Sequence, residues 1–291
     1  MTISKAKLYG IIENSLPPFL FKTLKKAPFY RWAVNHTQFM TGSIEPEIVT
    51  IKEGDLTGHK LKLSLSGDWQ KEMVRGTYDA ELFSYLKKDK LEGKVIYDIG
   101  AHICYHSLVF AKYVGDKGSV YAFEPNPVNV KRAEEILDLN LGLKSKITLF
   151  NAALSDHTGK TTFLSTDNIE GGTSTGGFIN EATPIWERSI YINKTGFTES
   201  QVKIDSIDNI IKNNTALPPD ILKIDVEGAE QLVLAGAIET LKKYRPKIIV
   251  EFHSIHATYE CMRIFAELDY MTNTLKEEPD GRVMVVATTK I

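Results

Sequence analysis

Apolar and polar positions alternate with period two over residues 47–52 and again over 59–65, around a turn-like Glu53-Gly54-Asp55. That pattern predicts a β-hairpin. Residues 79–88 instead place Leu82, Phe83 and Leu86 on one side of a helical turn, which predicts a short amphipathic helix. From residue 94 onward the period switches repeatedly. Strands are predicted over 94–98, 119–124, 221–225, 247–252 and 282–288, with a further one beginning at 147–149. Helices are predicted over 107–114, 127–139, 229–241 and 258–268. Asn126 is available as an N-cap, and Pro127 suits the first helical position. Between 157 and 203 no helical period is visible; short Thr-rich runs lie between Gly171-Gly172 and Gly176-Gly177. This predicts an inserted hairpin or a mobile loop.

Strands that alternate with helices imply a mostly parallel sheet with helices on both faces. The chain therefore divides into an N-terminal extension over 1–90 and an α/β domain over 91–291 that carries the 157–203 insert. Residues 1–45 read as an irregular or short-helical leader.

The composition changes this picture little. The chain has 291 residues, a net charge of −2 and 43% hydrophobic residues, an ordinary globular balance. Near-neutral charge gives no basis for nucleic-acid binding, which needs clustered cations. The one short basic cluster, Lys22 to Lys26, reads as a solvated face. Cys104 and Cys261 are the only cysteines, with no paired spacing, so a reducing cytoplasmic setting is expected and a structural zinc site is not. No signal peptide and no membrane-spanning run is read. Segment 16–32 is apolar and basic, and could lie on a membrane surface; Pro17, Pro18 and Pro28 favour packing onto the domain instead.

The stretch Val95-Ile-Tyr-Asp98-Ile-Gly100-Ala101-His102-Ile-Cys104 runs from a strand through a glycine turn toward a helix. Ligands of such sheets bind beyond the carboxyl ends of the strands. Glu124 ends the next strand, 24 positions after Gly100, close to the roughly 20-residue spacing of a ribose-binding acid. His102 and Cys104 stand where the close approach of a pyrophosphate needs glycines. A cofactor with adenosine but no phosphate fits better, and S-adenosyl-L-methionine is that cofactor. Asp98 then serves its amino group or orders the loop.

Two further strand ends carry carboxylates. Asp225-Val-Glu227 and Glu251-Phe-His253 each place polar groups two positions apart, so all four side chains can share one cleft. His253, with an ordinary pKa of about 6.5, is the first candidate for general base, with Asp225 or Glu227 orienting it or the substrate. Glu227 can equally accept N–H groups at the start of the following helix. Two carboxylates with one imidazole also suit Mg²⁺ or Mn²⁺, although no tightly bound metal is expected. His102 and His106 have the spacing of helical metal ligands but no visible third ligand, and Cys104 reads as core filler. The glycines of 170–178 suit a lid or a surface hairpin.

Taken in order, Gly76-Thr-Tyr78-Asp79, Asp98-Ile-Gly-Ala-His-Ile, Phe123-Glu124-Pro125-Asn126-Pro127, Asn151-Ala152-Ala-Leu, Lys203-Ile-Asp205, Lys223-Ile-Asp225-Val-Glu227-Gly228-Ala-Glu230 and Pro246-Lys-Ile-Ile-Val-Glu251-Phe-His253 resemble FkbM-type S-adenosylmethionine-dependent methyltransferases. The similarity runs from about residue 47 to about residue 253. It implies a Rossmann-like class I methyltransferase sheet of seven strands with the last reversed. It also implies O-methylation of a saccharide or small-metabolite hydroxyl. By that resemblance Asp98, Gly100 and Glu124 bind the cofactor, together with Ala101, His102, Pro125 and Ala152 of the same turns. Asn126 and Asn151 flank the adenine, and Tyr78 closes over it. The family usually has asparagine at position 102 and glycine at 104, so this loop departs from the pattern. A nicotinamide-dependent oxidoreductase and a non-catalytic binding domain of the same fold remain alternatives. Neither the acceptor nor the oligomeric state is legible.

Overall fold

The computed structural model describes residues 46–65, 67–166, 176–182, 197–279 and 281–289. The leader, segment 16–32 and most of the glycine-rich 170–178 stretch lie outside the described residues. The predicted hairpin forms from β1 (Glu47–Thr50) and β2 (Lys60–Leu63), with Leu61 and Leu63 facing the core. Two helices follow, α1 (Asp68–Arg75) and α2 (Ala80–Leu86). The sequence reading missed α1. Its buried face holds little more than Gln70 and Met73, too thin a stripe to show as a period. In α2, Leu82, Phe83 and Leu86 are buried, as the pattern predicts.

The main sheet has seven strands. They are β3 (Val95–Ile99), β4 (Ser119–Phe123), β5 (Ile147–Phe150), β10 (Ile221–Ile224), β11 (Lys247–Phe252), β12 (Tyr270–Glu277) and β13 (Val283–Thr289). Their order is β12-β13-β11-β10-β3-β4-β5. All run parallel except β13, which is antiparallel to both neighbours. This is the expected class I methyltransferase sheet with its last strand reversed. Strand β12 was not predicted. It lies at the sheet edge and reads Tyr-Met-Thr-Asn-Thr-Leu-Lys-Glu, so it lacks the apolar run of the central strands.

The connecting helices are α3 (Tyr105–Val114), α4 (Pro127–Asp138), α5 (Leu141–Lys144), α6 (Ile207–Lys212), α7 (Glu230–Ala235), α8 (Ile238–Tyr244) and α9 (Ile255–Glu267). Asn126 caps α4 by accepting the Val128 N–H at 2.9 Å. The helix predicted over 229–241 is in fact two, α7 and α8, broken at Gly236 and Ala237. A Cβ on Gly236 would meet the carbonyl oxygen of Ser155 at 2.0 Å, so the chain bends where another backbone comes close. Helix α9 starts three residues earlier than predicted because Ser254 caps it, accepting the Ala257 N–H.

Each face of the sheet has its own core. One joins Ile96, Val120, Leu108 and Phe110 to the hairpin and to α1 and α2. The other joins Tyr97, Leu222, Val250 and Phe265 beneath α6 to α9. Fully burying such a side chain contributes roughly 1.5–3 kcal/mol. The described residues of the insert join their flanks in a smaller sheet, with β7 (Gly159–Thr166) antiparallel to β9 (Phe197–Asp205) and flanked by β8 (Phe178–Ile179) and β6 (Ala153–Leu154). The chain runs β3, β4, β5 to one side and then crosses to β10 and β11 on the other. The switch therefore falls between β3 and β10, and their carboxyl ends bound a cavity of about 900 Å³.

Candidate active site

Strand β3 ends at Ile99 and the chain turns at Gly100, whose φ is +81°. A Cβ there would lie 1.8 Å from the Asp225 carbonyl oxygen, so only glycine lets the two strand ends meet. The Gly100 and Ala101 N–H groups both donate to the Phe123 carbonyl at 3.0 Å. The His102 N–H donates to Glu124 Oε2 at 2.9 Å, and the Asn126 N–H to Glu124 Oε1 at 2.9 Å. Asn129 Nδ2 adds a third bond to Oε1 at 3.3 Å. Glu124 thus pins the Gly100 turn to the end of β4. A carboxylate offers about four acceptor sites, so room remains for an incoming hydroxyl. Burial pushes Glu124 up to about 7, although these N–H donors pull it down.

Gly100, Ala101, His102, Glu124, Pro125, Ala152 and Tyr78 all line the cavity. Three predicted cofactor residues do not line it. Asp98 is fully buried, accepts the Ser107 hydroxyl at 2.5 Å and lies 3.3 Å from Lys223 Nζ. Asn126 is the α4 cap, and its Nδ2 is buried with no partner. Asn151 Nδ2 donates to the carbonyls of Glu124 and Pro125 at 3.1 and 3.0 Å. These three shape the turns that the lining residues stand on. His102 packs 5.5 Å from the Trp69 ring, and burial pushes it down to about 4, so its imidazole is neutral. Its Nε2 is buried and without a hydrogen-bond partner.

Lys223 of β10 ties the two halves of the site together. It is 2% exposed, lies 3.3 Å from Asp98 and 3.4 Å from Asp225, and donates to the Gly100 carbonyl at 3.2 Å. Burial lowers its pKa, but Asp98 and Asp225 outweigh burial and raise it. In return, burial works against the Asp225 carboxylate, but Lys223 and His253 hold its pKa down.

Beyond β10, Asp225 and Glu227 form the cavity wall with Glu251 of β11. Glu227 sits in the left-handed region at φ +54°, just before Gly228. His253 lies behind them, outside the cavity lining. Its Nδ1 and Glu230 Oε1 are 2.8 Å apart, and its Nε2 is 3.5 Å from Asp225 Oδ1 and 3.7 Å from Glu227 Oε2. Burial disfavours the imidazolium, but Glu230, Asp225 and Glu227 push His253 up to about 9. The expectation of a base titrating near neutrality is therefore not met at His253. Burial raises the pKa of Glu227, although 40% of its side chain is exposed and solvent tempers the effect. Burial and Asp225 also raise Glu251, against the pull of Arg282, whose Nη1 is 2.6 Å away.

His106 Nε2 lies 2.9 Å from Asp79 Oδ2, and Lys276 Nζ is 3.3 Å from the other oxygen of Asp79. Neither His102 nor His106 belongs to the one metal-sized group found among the described residues, Asp225, Glu227 and His253. Cys104 is fully buried and its thiol is pushed well up, as a core filler's is. Sequence reasoning missed Lys223, Glu230, Arg282 and the Asp79–His106 pair. Lys223 carried the one available signal, a lysine inside an otherwise apolar strand that runs between two acids.

The model of the methyltransferase FkbM domain matches residues 98–278. Hexuronic acid methyltransferase AglP of Haloferax volcanii is 24% identical over 240 residues, 82% of this chain and 88% of that protein. Among solved structures, methyltransferase FkbM of Methylobacillus flagellatus KT aligns at 17% identity with a TM-score of 0.47, covering 77% of this chain. The alignment spans 56% of that longer chain. An S-adenosylmethionine-dependent O-methyltransferase of Thermotoga maritima aligns at 18% identity and a TM-score of 0.43, covering 89% of this chain and 82% of that one.

Proposed function

The chain belongs to the family of methyltransferase FkbM domains, and on that footing we propose that it binds S-adenosyl-L-methionine and methylates a saccharide hydroxyl. One observation carries the reading. A glycine turn clamped to a buried glutamate and a wall of three carboxylates open into the same cavity, on either side of the β3/β10 switch. The residues present fit the cofactor. Glu124 keeps acceptor capacity for a ribose hydroxyl. Pro125 and Ala152 offer apolar surface beside it, and His102, whose buried Nε2 has no hydrogen-bond partner, also lines the cavity. Gly100, Ala101, His102, Glu124, Pro125, Ala152 and Tyr78 hold the cofactor, while Asp98, Asn126 and Asn151 position the turns. When bound, S-adenosylmethionine supplies an electrophilic methyl group on a sulfonium.

The chain's own task is to align an acceptor oxygen and take its proton. Glu227 is best placed for the proton, since it lines the cavity and its side chain stays partly exposed to solvent. Asp225, fixed by Lys223 and His253, orients the hydroxyl. The saccharide acceptor follows from the hexuronic acid methyltransferase relative and from a wall rich in acceptors for sugar hydroxyls. A nicotinamide cofactor is disfavoured by the absent glycines. Two buried free thiols suit a reducing compartment such as the cytoplasm. Calorimetry with S-adenosylmethionine and with NAD, followed by mass spectrometry of hexuronic acid and neutral hexose acceptors, tests the reading. Binding of S-adenosylmethionine and methylation of a sugar are expected. Binding of NAD alone would overturn it.

A further inference from the structure

Asp225, Glu227 and His253 offer three ligand atoms that lie within 4.8 Å of one another. Acidic clusters are common without ions, so the decisive feature is His253. Its side chain is 9% exposed, its Nε2 points between the two carboxylates, and that atom has no hydrogen-bond partner. An unsatisfied buried imidazole nitrogen is costly unless something completes it. The other ring nitrogen is engaged with Glu230, a carboxylate that is itself fully buried. That pairing holds the ring with Nε2 toward the carboxylates, where a bound cation takes the place of the Nε2 proton. A carboxylate–histidine arrangement of this kind is how metal-ligating histidines are oriented.

We propose that Asp225 Oδ1, Glu227 Oε2 and His253 Nε2 form a divalent-cation site of the Mg²⁺ or Mn²⁺ class. Bonds of about 2.1 Å put neighbouring octahedral ligands about 3.0 Å apart and opposite ones about 4.2 Å apart. The observed 3.5 and 3.7 Å fall between these, within reach of small side-chain movements. Two carboxylates and one imidazole are hard enough for Mg²⁺ and well suited to Mn²⁺. Because Asp225 and Glu227 also line the cavity, the cation's remaining positions face the acceptor. This rests on the methyltransferase reading for its purpose: the cation binds the acceptor oxygen and makes its hydroxyl more acidic. The O–H bond breaks, the electron pair stays on the cation-held oxygen, and the proton passes to the second oxygen of Glu227 and on to water. The spacing of the residues alone gave no expectation of a tightly held metal, and the geometry of His253 changes that.

The test uses the full chain stripped with EDTA and titrated with Mn²⁺, free ion being read by its electron paramagnetic resonance signal. One saturable Mn²⁺ per chain, displaced by Mg²⁺, is expected. Glu230→Gln should weaken Mn²⁺ binding about 10–100-fold, the usual effect of losing a ligand's outer partner, and His253→Gln at least as much. If His253→Gln does not fold, Glu227→Gln gives the same reading. No saturable uptake at millimolar Mn²⁺, or folded variants that bind as tightly as the parent, would overturn the site. Calorimetry with S-adenosylmethionine on the same stripped sample separates the two proposals. Cofactor binding and full methyl transfer without metal would sink the cation site and leave the methyltransferase intact. Mn²⁺ binding without cofactor binding would do the reverse.

Discussion

Replacing Gly100 with alanine probes whether the Gly100 turn and the carboxylate wall form one rigid unit. The new Cβ would stand 1.8 Å from the Asp225 carbonyl oxygen and 2.9 Å from its carbon. Ordinary contact begins at 3.4 Å, so turn and wall must separate by about 1.6 Å. Both are backbone and neither is a flexible side-chain end. The left-handed φ of +81° adds a penalty of about 1–2 kcal/mol for any L-residue. Forcing a methyl into a packed site adds about 1–3 kcal/mol. Gly58 isolates the first effect, since its φ is +84° and nothing lies within 4 Å of an added Cβ. Urea unfolding followed by circular dichroism should show Gly58→Ala losing about 1–2 kcal/mol and Gly100→Ala about 2–5 kcal/mol, with unchanged slopes. A misplacement on the order of 1 Å reduces rates by roughly 100-fold, so folded Gly100→Ala should methylate at least about 100-fold more slowly than Gly58→Ala. If the two variants are equally stable and equally active, the turn does not position Asp225 and is not coupled to the carboxylate wall.

Three other measurements bear on separate parts of the site. Glu124 is pushed up to about 7, and a ligand that bonds its ionised form binds best above that pH. S-adenosylmethionine affinity should fall by up to about tenfold per pH unit below about pH 7, and a flat calorimetric profile would remove Glu124 from the cofactor site. Lys223→Met leaves the fully buried Asp98 without its cation and should destabilise the protein by about 3–5 kcal/mol in urea; a change under about 1 kcal/mol would show the pair is not needed. Burial favours neutral Asp79, but bonding to His106 and Lys276 holds its carboxyl well below its ordinary value of 3.8. Its contribution is therefore complete above about pH 4 and fades as acid titrates it, so the parent should lose more thermal stability than Asp79→Asn between about pH 7 and about pH 3. Equal losses would mean that the ion pair does not stabilise the fold.

The central strands were legible because they are buried on both faces and carry apolar runs, as in Ile248 to Val250. The Asn126 cap and the Gly100 turn were legible because each needs a particular residue type. Edge strand β12 was hidden because one exposed side frees its sequence from any pattern. The break between α7 and α8 was hidden because Ser155, which forces it, is remote in sequence. The same holds for chemistry. Asp225, Glu227 and Glu251 announce themselves at strand ends. Lys223 shows only as a lone charge in its strand, and the contacts of Glu230 with His253 and of Arg282 with Glu251 come only through the fold.

The backbone shows what holding these groups together requires. Asp79, His102, Cys104 and Glu227 all lie in the left-handed region, and all but Cys104 line the cavity. Each such residue costs of order 1–3 kcal/mol, so the surroundings must over-determine it. They do so differently at each point. Asp79 is gripped by His106 and Lys276. His102 hangs by its N–H from Glu124. Cys104 is sealed in the core at 0% exposure. Glu227 is followed by Gly228, whose N–H donates to the buried Glu230, the same carboxylate that engages His253. One glutamate thereby fixes both the strained loop that carries Glu227 and the ring that faces it. A structural role for Glu230 would need only the first of these contacts. Making both, from a position with no solvent exposure, joins the shape of the loop to the direction of the imidazole and ties the strain to the chemistry of the cleft.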